Sequence, residues 1–396
     1  MAWTRLNPPS VEAKLFSSFS EQDIAYCDTL SDLILKEPNV RELPDLIALG
    51  FWLRKSNLYN ILKPYQHTGS LRQPLGMLYH SAPANVDSLF VYSGILSLLC
   101  GNKNVIRLSR RGGKSSDILI EKICQLAADF PEQNARFQLI QCDYDSSELI
   151  ALINSVEGRV LWGSDEAIIA QREIPMPAHA REMCFSNKFS LCLVDAQKVM
   201  AEPEVKFRQF IELFYKDQMT FSQQGCSSAK TLVWLGSKEL VGDAKKRFWP
   251  ALTELVKQKQ PFSDSEHYQA FLAAQQIAAS TENAFELVQE CGITRLGVTS
   301  ITPCCTNAHK GGGLFLELRL ASLAQLNPML KPANQTLSVW GVEPKLLHEW
   351  LTTVQTGIDR VVPVGEALTF SPNWDGVDLI DQFSRKVSVH NIFSVK

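Results

Sequence analysis

The alternation of strands and helices between residues 75 and 162 most restricts how this chain can fold. Short apolar runs predict strands at 75–80, 104–108, 137–142 and 159–162. The segments between them, 89–99, 115–128 and 147–155, have the length and spacing of helices. Strands that alternate with helices form right-handed βαβ units on a parallel sheet, which binds its ligand at the carboxyl ends of the strands. We therefore expect an α/β fold with its chemistry in the turns that follow the strands.

One thiol stands out from the apolar pattern. Cys226 follows Gly225 in a polar turn, directly before the apolar run Thr231–Leu235, which predicts a buried strand. The glycine permits close backbone approach or a positive φ beside the sulfur. A thiolate attacks a carbonyl carbon readily and forms a thioester. Cys226 is therefore a candidate nucleophile, and the alternative is a structural or merely exposed thiol.

Composition excludes several classes of function. The net charge of −3 argues against a general nucleic-acid binder, and the short cluster Lys245–Arg247 is typical of a solvated helix face. The ten cysteines have no repeated short spacing, the N-terminus lacks an apolar signal core, and no run approaches the roughly 18 apolar residues of a membrane span. These features predict a cytoplasmic protein with reduced thiols. Cys304, Cys305 and His309 lack the spacing of a zinc site, so no metal is expected.

Several turns, in this order and spacing, resemble the aldehyde dehydrogenase superfamily. Three regions resemble motifs of that superfamily. They are Ser81–Asn85 followed by Cys100–Ser109, then Leu161–Ser164, then Gln224–Cys226. Near the C-terminus, Arg360–Gly365 and Trp374–Ile380 are similar to the acyl-CoA reductase branch, which includes the fatty acid reductase of bacterial luminescence. The likeness covers about residues 75 to 385. It implies a Rossmann-type parallel-sheet cofactor domain and an α/β catalytic domain.

The pattern of predicted helices and strands also indicates domain boundaries, and the resemblance implies the function of each domain. Residues 1–70 are then a helical accessory segment, in which 31–35 and 43–53 have helical spacing and Lys63-Pro64 ends the stretch. Residues 71–195 would bind the nicotinamide cofactor, with a boundary after the predicted strand 190–194. Residues 196–396 would form the catalytic thiol domain and a C-terminal segment.

The resemblance assigns catalytic roles to two residues. Cys226 is the nucleophile, and the Asn85 side-chain amide together with the Cys226 backbone N–H would stabilise the oxyanion. The plainer interpretation of Asn85 is a turn residue after Pro83.

Four residues are implied to contact the cofactor. Arg107 occupies the place of a ribose-contacting lysine, and its guanidinium favours the extra phosphate of NADPH, although it could be a surface arginine at a strand end. Gly163 and Ser164 would lie against the dinucleotide, although Gly-Ser is also a common turn pair. Glu317 would contact the nicotinamide ribose, or else lie on the exposed face of a strand. The run Lys310–Gly313 lacks the spacing of a P-loop and is interpreted as a flexible turn.

One departure from the wider family indicates the reaction. Ordinary aldehyde dehydrogenases have a Glu-Leu-Gly-Gly-Lys segment whose carboxylate activates water, whereas the corresponding stretch here is Cys184–Lys188. Glu182 precedes this stretch by two residues, so it would match the family's glutamate only if the alignment were shifted by two positions. An enzyme without that base should hydrolyse its acyl-enzyme slowly. This favours thioester reduction over aldehyde oxidation.

The expected function is NADPH-dependent reduction of an acyl thioester to an aldehyde through acyl-Cys226. The acyl donor could be CoA, a carrier protein or an acylated enzyme such as an acyl-protein synthetase-type partner, and homo-oligomerisation is expected by family analogy. Two alternatives stay open: a redox-free acyltransferase or thioesterase that uses Cys226, and a non-catalytic assembly subunit. The first alternative predicts acyl turnover without nicotinamide, and the second predicts no acylation of Cys226.

Overall fold

The computed structural model describes residues 3–66, 71–83, 86–110 and 112–388, and the chain divides into two compact units. The first unit is Met1–Asn187 with Phe370–Lys396, and the second is Lys188–Thr369. This division differs from the predicted boundaries at 195 and 196. The strand Ser190–Asp195 belongs to the second unit because it pairs with strands on both sides there. The chain returns to the first unit because Ser384–Val387 pairs with Leu71–Pro74.

The first unit is built from short strands alternating with helices. Its N-terminal part contains strands β1 (Thr4–Arg5), β2 (Leu71–Pro74), β3 (Met77–Ser81), β4 (Lys103–Arg107), β5 (Phe137–Gln141), β6 (Gly158–Trp162) and β7 (Arg181–Phe185). Its helices there are α1 (Glu21–Leu35), α2 (Pro44–Leu53), α3 (Lys55–Gln66), α4 (Leu89–Leu99), α5 (Lys114–Gln125), α6 (Pro131–Arg136), α7 (Ser147–Ile153) and α8 (Asp165–Arg172).

The main sheet of the first unit has the strand order β1-β5-β4-β3-β6-β7 among the described residues. All neighbours are parallel except β1, which pairs antiparallel with β5. From β3 the chain adds β4 and β5 on one side and then β6 and β7 on the other. Every residue of α4 is buried, as expected for an apolar helix between sheet and neighbouring helices. The reversal between β3 and β6 is the place where such sheets bind ligands.

The second unit, all of whose residues are described, repeats this pattern around a longer sheet. Its strands are β8 (Ser190–Asp195), β9 (Ala229–Leu235), β10 (Ala284–Glu290), β11 (Ile293–Val298), β12 (Leu314–Leu320), β13 (Thr336–Trp340) and β14 (Arg360–Pro363). Its helices are α9 (Ala196–Ala201), α10 (Glu204–Met219), α11 (Lys238–Lys259), α12 (Asp264–Ser280), α13 (Pro303–Ala308) and α14 (Pro344–Leu351). The strand order is β10-β11-β12-β9-β8-β13-β14, with only β10 antiparallel to its neighbour. The predicted strand after Cys226 is thus β9, at the centre of this sheet.

The C-terminal segment completes the first unit. It contains β15 (Asn373–Trp374), β16 (Val377–Asp378), α15 (Leu379–Gln382) and β17 (Ser384–Val387). Trp374 packs against Tyr92 and Phe370, with ring centroids 5.1 and 6.4 Å away. Asp375 and Gly376 turn the chain with φ of 49° and 74°.

The predicted strands and helices of the βαβ region are present, with ends displaced by a few residues. The N-terminal segment is helical, but Lys63-Pro64 does not end the stretch, because α3 continues to Gln66 with Pro64 in its last turn. A proline there removes few helical hydrogen bonds. No helix within the described ranges is long and apolar enough to cross a bilayer.

Candidate active site

The turn that presents Cys226 has an unusual backbone. Phe221, Ser222 and Gln223 have φ of 56°, 51° and 61°, in the left-handed region. Non-glycine residues adopt this region rarely, at a cost of about 1–3 kcal/mol each where the surroundings enforce it. Contacts with other segments must therefore hold the backbone of this turn in its conformation.

Gln223 supplies that anchoring. It is fully buried, and its Nε2 donates hydrogen bonds of 2.9 Å to the carbonyl oxygens of both Ala229 and Leu314. Its Oε1 accepts a hydrogen bond of 3.1 Å from the Gly313 N–H. One side chain thus joins the nucleophile turn to the starts of β9 and β12.

The run Lys310–Gly313 packs directly under the same turn. Its three glycines have φ between 65° and 83°, and the Gly312 N–H donates to the Ser222 carbonyl oxygen at 2.8 Å. A Cβ at Gly311 would lie 2.7 Å from the Ser222 oxygen, and a Cβ at Gly312 would lie 2.7 Å from the Glu266 oxygen. The interpretation of this run as a flexible turn is wrong, because its backbone is closely packed and tied to the cysteine turn.

Cys226 is half-buried, and its sulfur lies among polar groups of the second unit. Gln335 Nε2 donates to Sγ at 3.7 Å, and the Ser227 hydroxyl lies 3.9 Å from Sγ. Ser190 Oγ donates to the Cys226 carbonyl oxygen at 2.6 Å. These contacts suit a reactive thiol in a polar, partly accessible position more than a thiol that fills a core.

Lys230 brings positive charge to the strand that follows the turn. Burial lowers the pKa of its ammonium, and the negative charge of the Cys226 thiolate acts in the opposite direction. Its Nζ donates to the Lys188 carbonyl oxygen at 3.4 Å and lies over the Phe189 ring, 5.8 Å from the centroid.

His309 is not a base for this thiol. Burial lowers its pKa to about 3, so it is neutral. Its Nε2–H donates to the Leu314 oxygen at 2.9 Å and its Nδ1 accepts from the Gly311 N–H at 3.1 Å. Both ring nitrogens are therefore occupied by backbone. Across the described residues no cluster of His, Cys, Asp and Glu could hold a metal ion.

Glu317 lies in the interior of the second unit. Its side chain is 4% exposed, and its Oε1 accepts hydrogen bonds of 3.0 Å from the indole N–H groups of Trp234 and Trp249. Lys245 Nζ is 3.1 Å from the same oxygen. A carboxylate with these three partners serves the packing of β9, β12 and α11. Neither a ribose contact nor an exposed strand face fits this environment, so Glu317 is left out of the proposed cofactor site.

The first unit brings three of the predicted cofactor residues to one sheet edge. Arg107 ends β4, and Gly163 and Ser164 follow β6, while β3 lies between these two strands. The strands are parallel, so these residues share the carboxyl edge at the reversal of strand order. Asn85 comes four residues after the end of β3 in sequence and lies outside the described residues.

Arg107 is more enclosed than a surface arginine. It is 9% exposed, its Nε donates to the Cys142 carbonyl oxygen at 3.0 Å, and its guanidinium carbon lies 3.5 Å from the centre of the Tyr144 ring. Stacking and a carbonyl acceptor fix the plane of the guanidinium. Arg110, three residues later, is 47% exposed and lies 3.4 Å from an Asp143 carboxylate oxygen.

The neighbours of Gly163 leave room for a larger side chain. A Cβ there would meet only the Ala167 Cβ, at 3.6 Å, which is ordinary contact. Its N–H donates to the Phe185 oxygen, and Ser164 caps α8 by accepting from the Ala167 N–H at 3.3 Å. The space left by the missing side chain fits the close approach of a dinucleotide backbone.

Glu182 does not substitute for the missing catalytic carboxylate of the wider family. It lies in β7, where its carboxylate binds Arg159 and, at 2.8 Å, Arg172. Two guanidinium groups hold it in an ion-paired network of the first unit.

Three residues that lie next to the candidate site residues were not identified from sequence. Gln335 is 109 positions from Cys226, and no local pattern connects them. Gln223 precedes the cysteine by three positions but resembles any polar turn residue. Arg110 had a detectable signal, since it follows Arg107 in a basic run.

Comparison with known proteins identifies the family. The model of the acyl-CoA reductase (LuxC) family matches residues 53–386, more than half of the chain. A long-chain acyl-protein thioester reductase from Aliivibrio fischeri is 22% identical over 328 residues, which cover 82% of this chain. The aligned region covers 63% of that relative's length, so this chain spans less than two thirds of it.

Solved structures show the fold. An NAD-dependent aldehyde dehydrogenase from Sinorhizobium meliloti matches with a TM-score of 0.66 and 14% identity, covering 94% of this chain and 82% of that one. The protein PnpE, solved in complex with nicotinamide adenine dinucleotide, matches with a TM-score of 0.66 and 13% identity, covering 93% and 84%. The expected aldehyde dehydrogenase-like fold is confirmed, and the chain belongs to the acyl-CoA reductase (LuxC) family.

Proposed function

We propose that this member of the acyl-CoA reductase family reduces an acyl thioester to an aldehyde, with Cys226 as nucleophile and NADPH as reductant. The observation that carries the proposal is the anchored left-handed turn that holds a half-buried Cys226 among polar groups. The name of the Aliivibrio fischeri relative supports an acyl thioester as substrate.

The proposed reaction uses Cys226 twice. Its thiolate attacks the thioester carbonyl carbon, a new carbon–sulfur bond forms, and the carrier thiol leaves. The reduced nicotinamide, when bound, supplies a hydride to the carbonyl carbon of acyl-Cys226. Collapse of that adduct breaks the carbon–sulfur bond, returns the Cys226 thiolate and releases the aldehyde. One acyl thioester, one hydride and one proton thus give one aldehyde and one thiol.

Oxyanion stabilisation is proposed to come from the Cys226 backbone N–H and the Asn85 amide, as the family resemblance implies. Hydrolysis of acyl-Cys226 is proposed to be slow, because the stretch that resembles the family's water-activating segment has Cys184 in place of the carboxylate and Glu182 is paired with Arg159 and Arg172. The acyl group is then kept for reduction or for exchange with another thiol.

The carboxyl edge of the first unit's sheet is the proposed cofactor site. The open space at Gly163 suits the dinucleotide backbone, and Ser164 follows it at the start of α8. Arg107, the last residue of β4, and Arg110, three residues later, supply two guanidinium groups, which favours the extra phosphate of NADPH.

The proposal extends to partners and location. The acyl donor is CoA, a carrier protein or the acylated cysteine of an acyl-protein synthetase-type enzyme, and the protein is proposed to act in the cytoplasm as a homo-oligomer. No nucleic-acid partner is proposed, in keeping with the net charge of −3.

The test incubates the protein with a series of acyl-CoA thioesters and NADPH, follows nicotinamide absorbance, and locates covalent acyl groups by mass spectrometry. We expect aldehyde and an acyl group on Cys226, and both should disappear in Cys226→Ser, because a serine hydroxyl is not ionised at neutral pH. The exposed thiols Cys184 and Cys291 provide matched controls, and their replacement by Ala should leave labelling intact.

Each other outcome identifies an alternative. Acyl turnover that needs no nicotinamide indicates the redox-free acyltransferase or thioesterase. Absence of acylation at Cys226 with every donor indicates a non-catalytic subunit. Labelling at another cysteine in Cys226→Ser contradicts the assignment of the nucleophile.

A further inference from the structure

We propose that Gln335 is a positioning residue that holds the Cys226 sulfur and stabilises its thiolate form. The proposal rests on the proposed function of Cys226 as nucleophile. It adds the residue that directly precedes β13, which lies far from Cys226 in sequence and is not indicated by the residues around the cysteine.

The side chain of Gln335 is fixed from its oxygen end. Gln335 is 3% exposed, and its Oε1 accepts hydrogen bonds from the hydroxyls of Ser227, at 3.2 Å, and Thr336, at 3.3 Å. Two hydroxyl donors on the oxygen set the orientation of the amide, so that its NH₂ group is directed to Cys226 Sγ at 3.7 Å. An N–H donor to sulfur favours the charged thiolate over the neutral thiol.

The backbone around Gln335 is tied to the same turn by a second route. Ser190 Oγ accepts from the Thr336 N–H at 3.2 Å and donates to the Cys226 carbonyl oxygen at 2.6 Å. The Gln335 carbonyl oxygen accepts from the Arg360 N–H at 3.0 Å, which fixes the start of β13 against β14. The distance between the amide and the sulfur is therefore set by the sheet.

Charged groups from several elements surround the turn, whereas the amide of Gln335 is neutral at every pH. Lys230 lies on β9, and His309 and Lys310 precede β12. Asp217 lies in the last turn of α10, Arg360 begins β14, and Glu266 of α12 forms a side-chain hydrogen bond with Ser222. Asp217 accepts from the backbone N–H groups of Gly365 and Ala367, and its carbonyl oxygen accepts from the Ser228 hydroxyl. All these groups stay in place when Gln335 alone is changed. A shift in the thiol's pH profile therefore reports the amide itself.

The test measures the rate of Cys226 alkylation by iodoacetamide as a function of pH, with Cys184 and Cys291 replaced by Ala. For Gln335→Met we expect the midpoint of the profile to rise by about one pH unit, which lowers the rate at neutral pH about tenfold. Gln335→Glu should shift the midpoint further, because a carboxylate cannot donate to sulfur and repels its charge. Gln197→Glu, on an exposed helix position, is the matched control and should leave the profile unchanged.

Thermal unfolding of each variant checks that it is folded at the temperature of the assay. If Gln335→Glu does not fold, the Gln335→Met profile decides the question. If folded Gln335→Met has the same alkylation midpoint as the wild type, the inference about Gln335 is overturned, even when acyl-Cys226 forms normally. Conversely, an alkylation shift in a protein that never forms acyl-Cys226 supports the role of Gln335 and refutes the proposed function.

Discussion

At the residue scale, Arg107, for which we propose a cofactor contact, differs from an ordinary surface arginine. Its guanidinium is clamped between the Cys142 carbonyl oxygen and the Tyr144 ring, whereas Arg110 is half-exposed and pairs with Asp143. A fixed guanidinium loses little conformational freedom when it binds a phosphate. Arg107 is therefore the better placed of the two for a directional contact.

Arg107→Ala should weaken NADPH much more than NADH. A charge-assisted contact contributes about 1.5–3 kcal/mol, which is roughly 10- to 150-fold in affinity. The measurement is the dissociation constant of each cofactor for wild type and variant, with Arg110→Ala beside it to separate the fixed guanidinium from the exposed one. Equal weakening of both cofactors by Arg107→Ala would mean that the residue supports the fold or touches a part that they share.

At the scale of elements, the nucleophile turn depends on contacts outside itself. Its three left-handed residues are held by Gln223, which reaches the starts of β9 and β12, and by the glycine run that packs beneath it. The turn should therefore act as one unit with Lys310–Gly313.

Gln223→Leu should lower the free energy of unfolding by about 3 kcal/mol or more, because buried backbone groups without partners cost about 1–3 kcal/mol each. The Ala229 carbonyl oxygen and the Gly313 N–H would lose this partner, and the Leu314 carbonyl oxygen would keep only its hydrogen bond from His309. Denaturant unfolding measures the change. Gln224→Leu is the control, since Gln224 is exposed, and it should change stability by much less. Similar losses for both variants would show that the turn is not anchored through Gln223.

At the scale of the whole molecule, buried histidines in each unit link stability to pH. Burial lowers the pKa of His80, in the first unit, from 6.5 to about 4, and that of His309, in the second, from 6.5 to about 3. Both are neutral in the folded chain and become protonated more easily when unfolded. Their stabilising contribution is present above pH 6.5 and is lost as the pH falls towards the folded values. Burial raises the pKa of Asp217 from 3.8 to about 6, which acts in the opposite direction over part of this range.

We expect the free energy of unfolding to fall by roughly 3 kcal/mol between about pH 7 and pH 4.5. Each pKa unit corresponds to about 1.4 kcal/mol, and the loss from the two histidines is larger than the gain from the Asp217 carboxyl group. Denaturant titrations at the two pH values measure it. His309→Gln, which does not titrate, should reduce the pH dependence of the second unit and leave that of the first. Equal stability of the wild type at both pH values would contradict this account.

The sequence alone determined the βαβ order, the approximate ends of the strands around β3 to β6, and the candidate nucleophile. These follow from local properties: apolar periodicity within one segment, and a polar, glycine-containing turn before a buried strand. The positions of Arg107, Gly163 and Ser164 at one edge also followed, because parallel strands bring their carboxyl ends together.

Tertiary structure decided what depends on contacts between distant segments. Gln335 meets Cys226 across 109 positions because β13 and β9 both pair with β8, and Glu317 is enclosed because two tryptophans and a lysine converge on it. The glycines before β12 looked flexible in sequence, yet they are packed against the Ser222 and Glu266 backbone. A residue's type and neighbours in sequence fix its chemistry, but burial and hydrogen-bond partners are set by which segments the sheet brings side by side.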